Sequence, residues 1–165
     1  MAPTLGEQFV SSQNGFGADL LEALTAVAEL VNTGRSRGGE GLRDAADVAA
    51  FGRRYHLGGR ARAGDVPALR AYRARLDAVV TACEAGDGPA ATRMINALLA
   101  ETGAIPQIVV HDGRGPHIHV SRPAAPMADR ITAHLAMGLA GLLVSGAGAR
   151  LRSCASPTLP RRLPR

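Results

Sequence analysis

The sequence predicts a mainly helical α+β domain, with about five helices and one β-hairpin near residues 107–121. Three observations lead there. Five segments carry apolar residues at spacings of three and four, and one stretch alone changes to alternation. Aromatics are only 3% and Trp is absent, while 46% of the residues are hydrophobic, so the core must be aliphatic. At 165 residues the chain can build one such core but not two of ordinary size.

Asp19 to Thr33 sets Leu20, Leu21, Leu24, Val27, Ala28 and Val31 on one helical stripe that ends at Gly34. Residues 34–41 read as a loop, and a short helix follows from Asp44 to about His56. After a Gly- and Arg-rich loop, Asp65 is placed to cap the next helix, with Pro67 in its first turn, where a missing N–H is harmless. That helix aligns Leu69, Tyr72, Leu76, Val79, Val80 and Cys83, leaving Arg70, Arg73, Arg75, Asp77 and Glu84 opposite. Asp87 caps a fourth helix, Ala90 to Glu101.

The period then changes to two. Gln107–His111 and His117–Ser121 flank the turn-rich segment 112–116, which reads as a hairpin pairing His111 with His117 and Val109 with His119. Ile108, Val110, Ile118 and Val120 then share one face, and His111, His117 and His119 the other. The alternative register, His111 opposite Pro116, mixes histidines with aliphatics. A last helix, Met127 to about Ser145, carries Met127, Ile131, Leu135, Leu139 and Leu142.

Every cation is an arginine; there is no lysine. With heavy Ala, Gly and Pro usage, this fits a GC-rich bacterial genome, so arginine is weak evidence for nucleic-acid binding. Residues 1–149 hold 14 Arg against 14 Asp plus Glu, and the remaining five Arg (19 − 14) lie in residues 150–165. A formally neutral body with a basic tail predicts no broad electrostatic footprint on the globule. Residues 1–18 contain no Arg and no signal pattern, and the uncharged run between His134 and Arg150 is short of the ~20 residues of a membrane span. The expectation is a cytoplasmic protein without a membrane partner.

The hairpin is where reactive side chains gather. His111, His117 and His119 on one face have the chemistry to bind a transition metal, which makes a metal-dependent enzyme one open reading; the other is a polar, ligand-facing surface. No P-loop, GxSxG, GxGxxG after a strand, or HExxH is present, and the expectation is a non-enzyme. Cys83 lies on a buried stripe and reads as packing. The small-residue helix Ala133 to Val144 leaves open a non-catalytic interaction module that pairs with a second copy.

Several segments, taken in order, resemble one family. They are LVNT (Leu30 to Thr33), LRAYRARL (Leu69 to Leu76), GD-x-x-A-A…N-x-L-L (Gly86 to Leu99), the His-x-His strand (His117, His119), an apolar helix, and RLRSC-x-x-P from Arg150. The pattern is similar to proteins with an N-terminal ABATE domain and a C-terminal CGNR zinc finger, proposed to be stress-induced transcription regulators.

The resemblance implies a ligand-sensing body at residues 1–149 and the start of a finger at residues 150–165. It implies a small-molecule effector, for which His117, His119, Asn32 and Arg73 are the candidate contacts, and DNA as partner of a complete family member. Cys154 matches the first zinc-ligand cysteine of the family's RLR-x-C-x4-C pattern, but Leu159 stands where the second belongs. One thiol cannot hold a tetrahedral zinc. Zinc is expected only for a complete finger, and no cofactor for the chain as it stands. One codon choice for residues 159–165, read a base later, begins Cys-Arg-Gly, as the family does, so a frame shift in the tail is a further expectation.

Overall fold

The last helix is the hub. In the computed structural model, which describes residues 5–35, 39–110, 115–148 and 151, with side chains from residue 19 onward, the order is α1 Leu5–Asn32, α2 Ala45–Arg54, α3 Asp65–Glu84, α4 Gly88–Glu101, β1 Gln107–Val109, β2 His117–His119 and α5 Met127–Val144. The protein is mainly helical α+β, with a two-stranded antiparallel hairpin. α5 packs against α1, α2, α3 and α4. Its expected stripe of Met127, Ile131, Leu135, Leu139 and Leu142 is buried, and Ala128, Ala133, Ala136 and Gly138 widen it.

Such a helix is apolar and long enough to cross a membrane by length and composition, contrary to the sequence reading, which counted only from His134. Much of the helix is taken up by its neighbours: 56% of Met127–Val144 is buried inside the protein. The small residues expected to receive a partner helix receive α1 of the same chain. A Cβ built on Gly138 would lie 2.6 Å from the Ala23 Cβ, so the two helices touch at glycine.

Three boundaries differ from the sequence reading. α1 begins at Leu5 and not at Asp19, because Ser11, Ser12, Gly15 and Gly17 weaken the helical signal without breaking the helix. Asp65 does not cap α3, whose N-cap is Gly64. Its carboxylate instead accepts from the Ala128 N–H at 3.0 Å and from the Arg62 N–H at 2.7 Å, so it caps α5 from across the fold, where Pro126 offers no side-chain cap.

The third difference is the hairpin register. Val109 faces His117, Ile108 faces Ile118 and Gln107 faces His119. The pairing is two residues away from the expected one, so the sorting of residues onto faces survives while the partners change. Asp87 caps α4 as the sequence indicates, accepting from Ala90, and Asp44, read only as the start of the second helix, caps α2 by accepting from Ala46 and Asp47.

Candidate functional site

Alternation sorts the hairpin into two faces but does not say which one meets the body. Three of the four aliphatic residues point outward: Ile108, Val110 and Ile118 are exposed, Ile108 by 76%, while Val120 is buried. His117 and His119 are half-buried, with ring centroids 5.0 Å apart in an edge arrangement, and His117 Nδ1 lies 3.0 Å from the Gly115 carbonyl oxygen. His111 lies outside the described residues. Among the described residues, no three of His, Cys, Asp or Glu are arranged to hold a metal ion. Cys83 is buried, which pushes its thiol pKa up and suits packing; Cys154 lies outside the described residues.

His119 lies near enough to α5 for its charge to act on a residue the sequence reading passed over. His134 is half-buried, and its Nε2 is shielded from solvent without a hydrogen-bond partner. Burial pushes its pKa down; Glu22 and Asp19 of α1 pull the other way, and His119 adds to the depression. One turn earlier on the same side of α5 stands Arg130, whose Nε is also buried and unpartnered. Its NH1 donates to the Pro123 carbonyl at 2.9 Å. Burial lowers its pKa, with no carboxylate opposing the shift. Two nitrogens, both buried and both without a partner, thus lie a turn apart on α5, that of Arg130 beside the connection from β2. Buried polar atoms in folded proteins are nearly always satisfied, so a pair left open on one helix face is the feature of this surface that asks for a ligand.

The sequence could have shown these two residues only as polar positions off the α5 stripe, at an i, i+4 spacing. That both would be shielded in the fold is a tertiary fact.

Asn32 and Arg73 are placed elsewhere. Asn32 ends α1, ten residues beyond Glu22, or about 15 Å along the helix axis. Arg73 donates to both oxygens of Glu40, at 2.6 and 2.7 Å, and to the Thr33 hydroxyl at 2.8 Å. Arg70 donates to the Leu42 carbonyl, and Glu40 also accepts from the Leu42 N–H. The two arginines therefore clamp the segment between α1 and α2 onto α3. A guanidinium engaged in this way is poorly placed to receive an outside anion.

The clamp titrates. The hydrogen bond from Arg73 is the main cause holding the Glu40 carboxyl at about 2, against an ordinary 4.5. A carboxylate depressed by folding stabilises the protein fully above its unfolded value and loses that contribution as pH falls through the folded one. Glu40→Gln should therefore flatten the stability profile between about pH 4.5 and 2 while lowering stability at neutral pH, as urea titrations at stepped pH would show.

With this geometry described, comparison with known families is decisive. A family model described as "Putative stress-induced transcription regulator", the ABATE domain, matches residues 24–146. The chain belongs to the ABATE family. The match runs from the middle of α1 to just past α5, so the hairpin, Arg130 and His134 all lie inside the ABATE domain, while Cys154 lies beyond the matched residues. Compared with curated proteins, the chain finds no match.

Proposed function

We propose that this ABATE domain is the effector-binding body of a transcription regulator, and that the effector seats between the hairpin and α5. The observation that carries this reading is the pair of buried, unpartnered nitrogens, Arg130 Nε and His134 Nε2, beside the half-buried His117 and His119. The family description supports a regulatory role. The body acts by binding and not by catalysis, needs no metal of its own, and works in the cytoplasm. In a complete family member, contact with DNA falls to a zinc finger, and in this chain that finger is incomplete.

An open hydrogen-bonding atom lowers stability, and its retention is accounted for when a ligand completes it. His134→Leu should leave the domain as stable as wild type or more stable by about 1–2 kcal/mol at neutral pH, since a buried atom without a partner is removed. It should also remove an acid limb. A histidine whose folded pKa is depressed stabilises fully above the unfolded value of 6.5, and that stability is lost as pH falls below it.

The functional test is a thermal-shift screen of a metabolite panel against wild type and His134→Leu. The expected result is at least one compound that raises the melting temperature of wild type and leaves the variant unmoved. A panel that moves neither protein, or both equally, argues against an effector site here.

A further inference from the structure

Formal neutrality of the body conceals an uneven distribution of charge. Among the described residues, Arg35, Arg43, Arg54, Arg70, Arg73 and Arg75 each pair with a carboxylate. Arg53, Arg60, Arg62, Arg93, Arg122 and Arg130 have no such pair, and the fold draws three of them to one place. Gly59 abuts Arg130: a Cβ built there would lie 3.0 Å from NH1 and 3.5 Å from Cζ of that guanidinium. Arg60 follows Gly59 in the chain. Arg122 precedes Pro123, whose carbonyl takes the Arg130 NH1 hydrogen bond. Both Arg60 and Arg122 are exposed.

Gly59 has φ 136°, a conformation that a side chain would strain, and any side chain would also crowd the guanidinium. The backbone therefore passes close to Arg130, whose guanidinium lies between Gly59 and the Pro123 carbonyl. A half-buried guanidinium with a shielded Nε, one backbone carbonyl and no carboxylate holds a desolvated charge that the protein itself leaves uncompensated. Its planar fork of donors matches two oxygens of one carboxylate or phosphate.

We propose that the effector carries an oxyanion, a carboxylate or a phosphate, and that Arg130 receives it beside Gly59 and Pro123, with Arg60 and Arg122 drawing it in. This assignment rests on the effector-site reading above and names the chemistry of the group that occupies it. His134, a turn further along α5, then faces the remainder of the ligand.

The test follows amide resonances of the labelled full chain as sodium phosphate or sodium acetate replaces sodium chloride at constant ionic strength. One of the two anions should produce saturable shifts at Gly58, Gly59, Arg60 and the 124–130 segment. Which one does so separates phosphate from carboxylate. Arg130→Gln should weaken that binding by about tenfold or more. Arg93→Gln, which removes an exposed, unpaired arginine on α4, should leave it unchanged.

If Arg130→Gln does not fold, the exposed variants Arg60→Gln and Arg122→Gln replace it, each expected to weaken binding severalfold. Equal affinity in wild type and these variants overturns the proposal, as do shifts that grow without saturation at arginines everywhere. Saturable shifts at His119 and His134 from an uncharged metabolite, with neither anion binding, would overturn the oxyanion and leave the effector site standing. Silence at this surface toward the anions and the metabolites alike would remove both.

Discussion

Gly138→Val should destabilise the domain by about 3 kcal/mol or more and lower its melting temperature by roughly 8–12 °C. The position is helical, so on propensity alone a larger residue would help: alanine in place of glycine is worth about 1 kcal/mol in a helix interior. Contact decides otherwise. The first added carbon would sit 2.6 Å from the Ala23 Cβ, an atom at the end of no flexible chain, so α1 and α5 would have to separate.

Even Gly138→Ala should therefore lose stability. The diagnostic result is the double variant Ala23→Gly with Gly138→Ala, which moves the methyl from one helix to the other. It should recover most of what Gly138→Ala loses, and a double-mutant cycle in urea would read the coupling directly. Additive losses would mean that the helices do not meet at this pair.

Asp65→Ala ranks next, at about 3 kcal/mol, because it orphans two backbone donors and strips the carboxylate from the α5 N-terminus. Asp65 is only 5% exposed, so water cannot easily replace it. Asp65→Asn separates this role from simple packing. The amide fills the same volume but offers one acceptor oxygen where two N–H groups wait, and its NH2 would face the other donor. Asn should therefore do little better than Ala. An Asn variant close to wild type in chemical denaturation would show that one of the two bonds, to Arg62 or to Ala128, carries no weight.

Much of the fold was legible because periodicity reports local structure directly. The stripes of α3 and α5 and the cap Asp87 stand where the pattern places them. What escaped depends on partners far away in sequence. Asp65 reads as a local cap, but the N–H that needs it is 63 positions on. Arg73 reads as an open helix-face cation, but Glu40 occupies it from 33 positions away.

The hairpin shows the same limit at short range. Alternation separates histidines from aliphatics, yet a two-residue slide keeps the faces and changes every pair, so spacing alone cannot fix the register. His117 and His119 stand out in the sequence because imidazoles are conspicuous. Arg130 and His134 do not, because a polar residue beside an apolar stripe normally means solvent.

The central place of α5 has a consequence for how the protein is made. A ribosome delivers α1 to α4 first, and the helix against which all four close arrives last. Until residue 144 or so is free, the nascent chain holds the walls of a core without its centre, exposing leucines and valines that associate as readily with a neighbour as with their own last helix. Synthesis should therefore depend on holding chaperones, and chains stopped short of α5 should be found in aggregates or degraded. A circular permutant that begins with α5 would present the centre first and relieve that dependence.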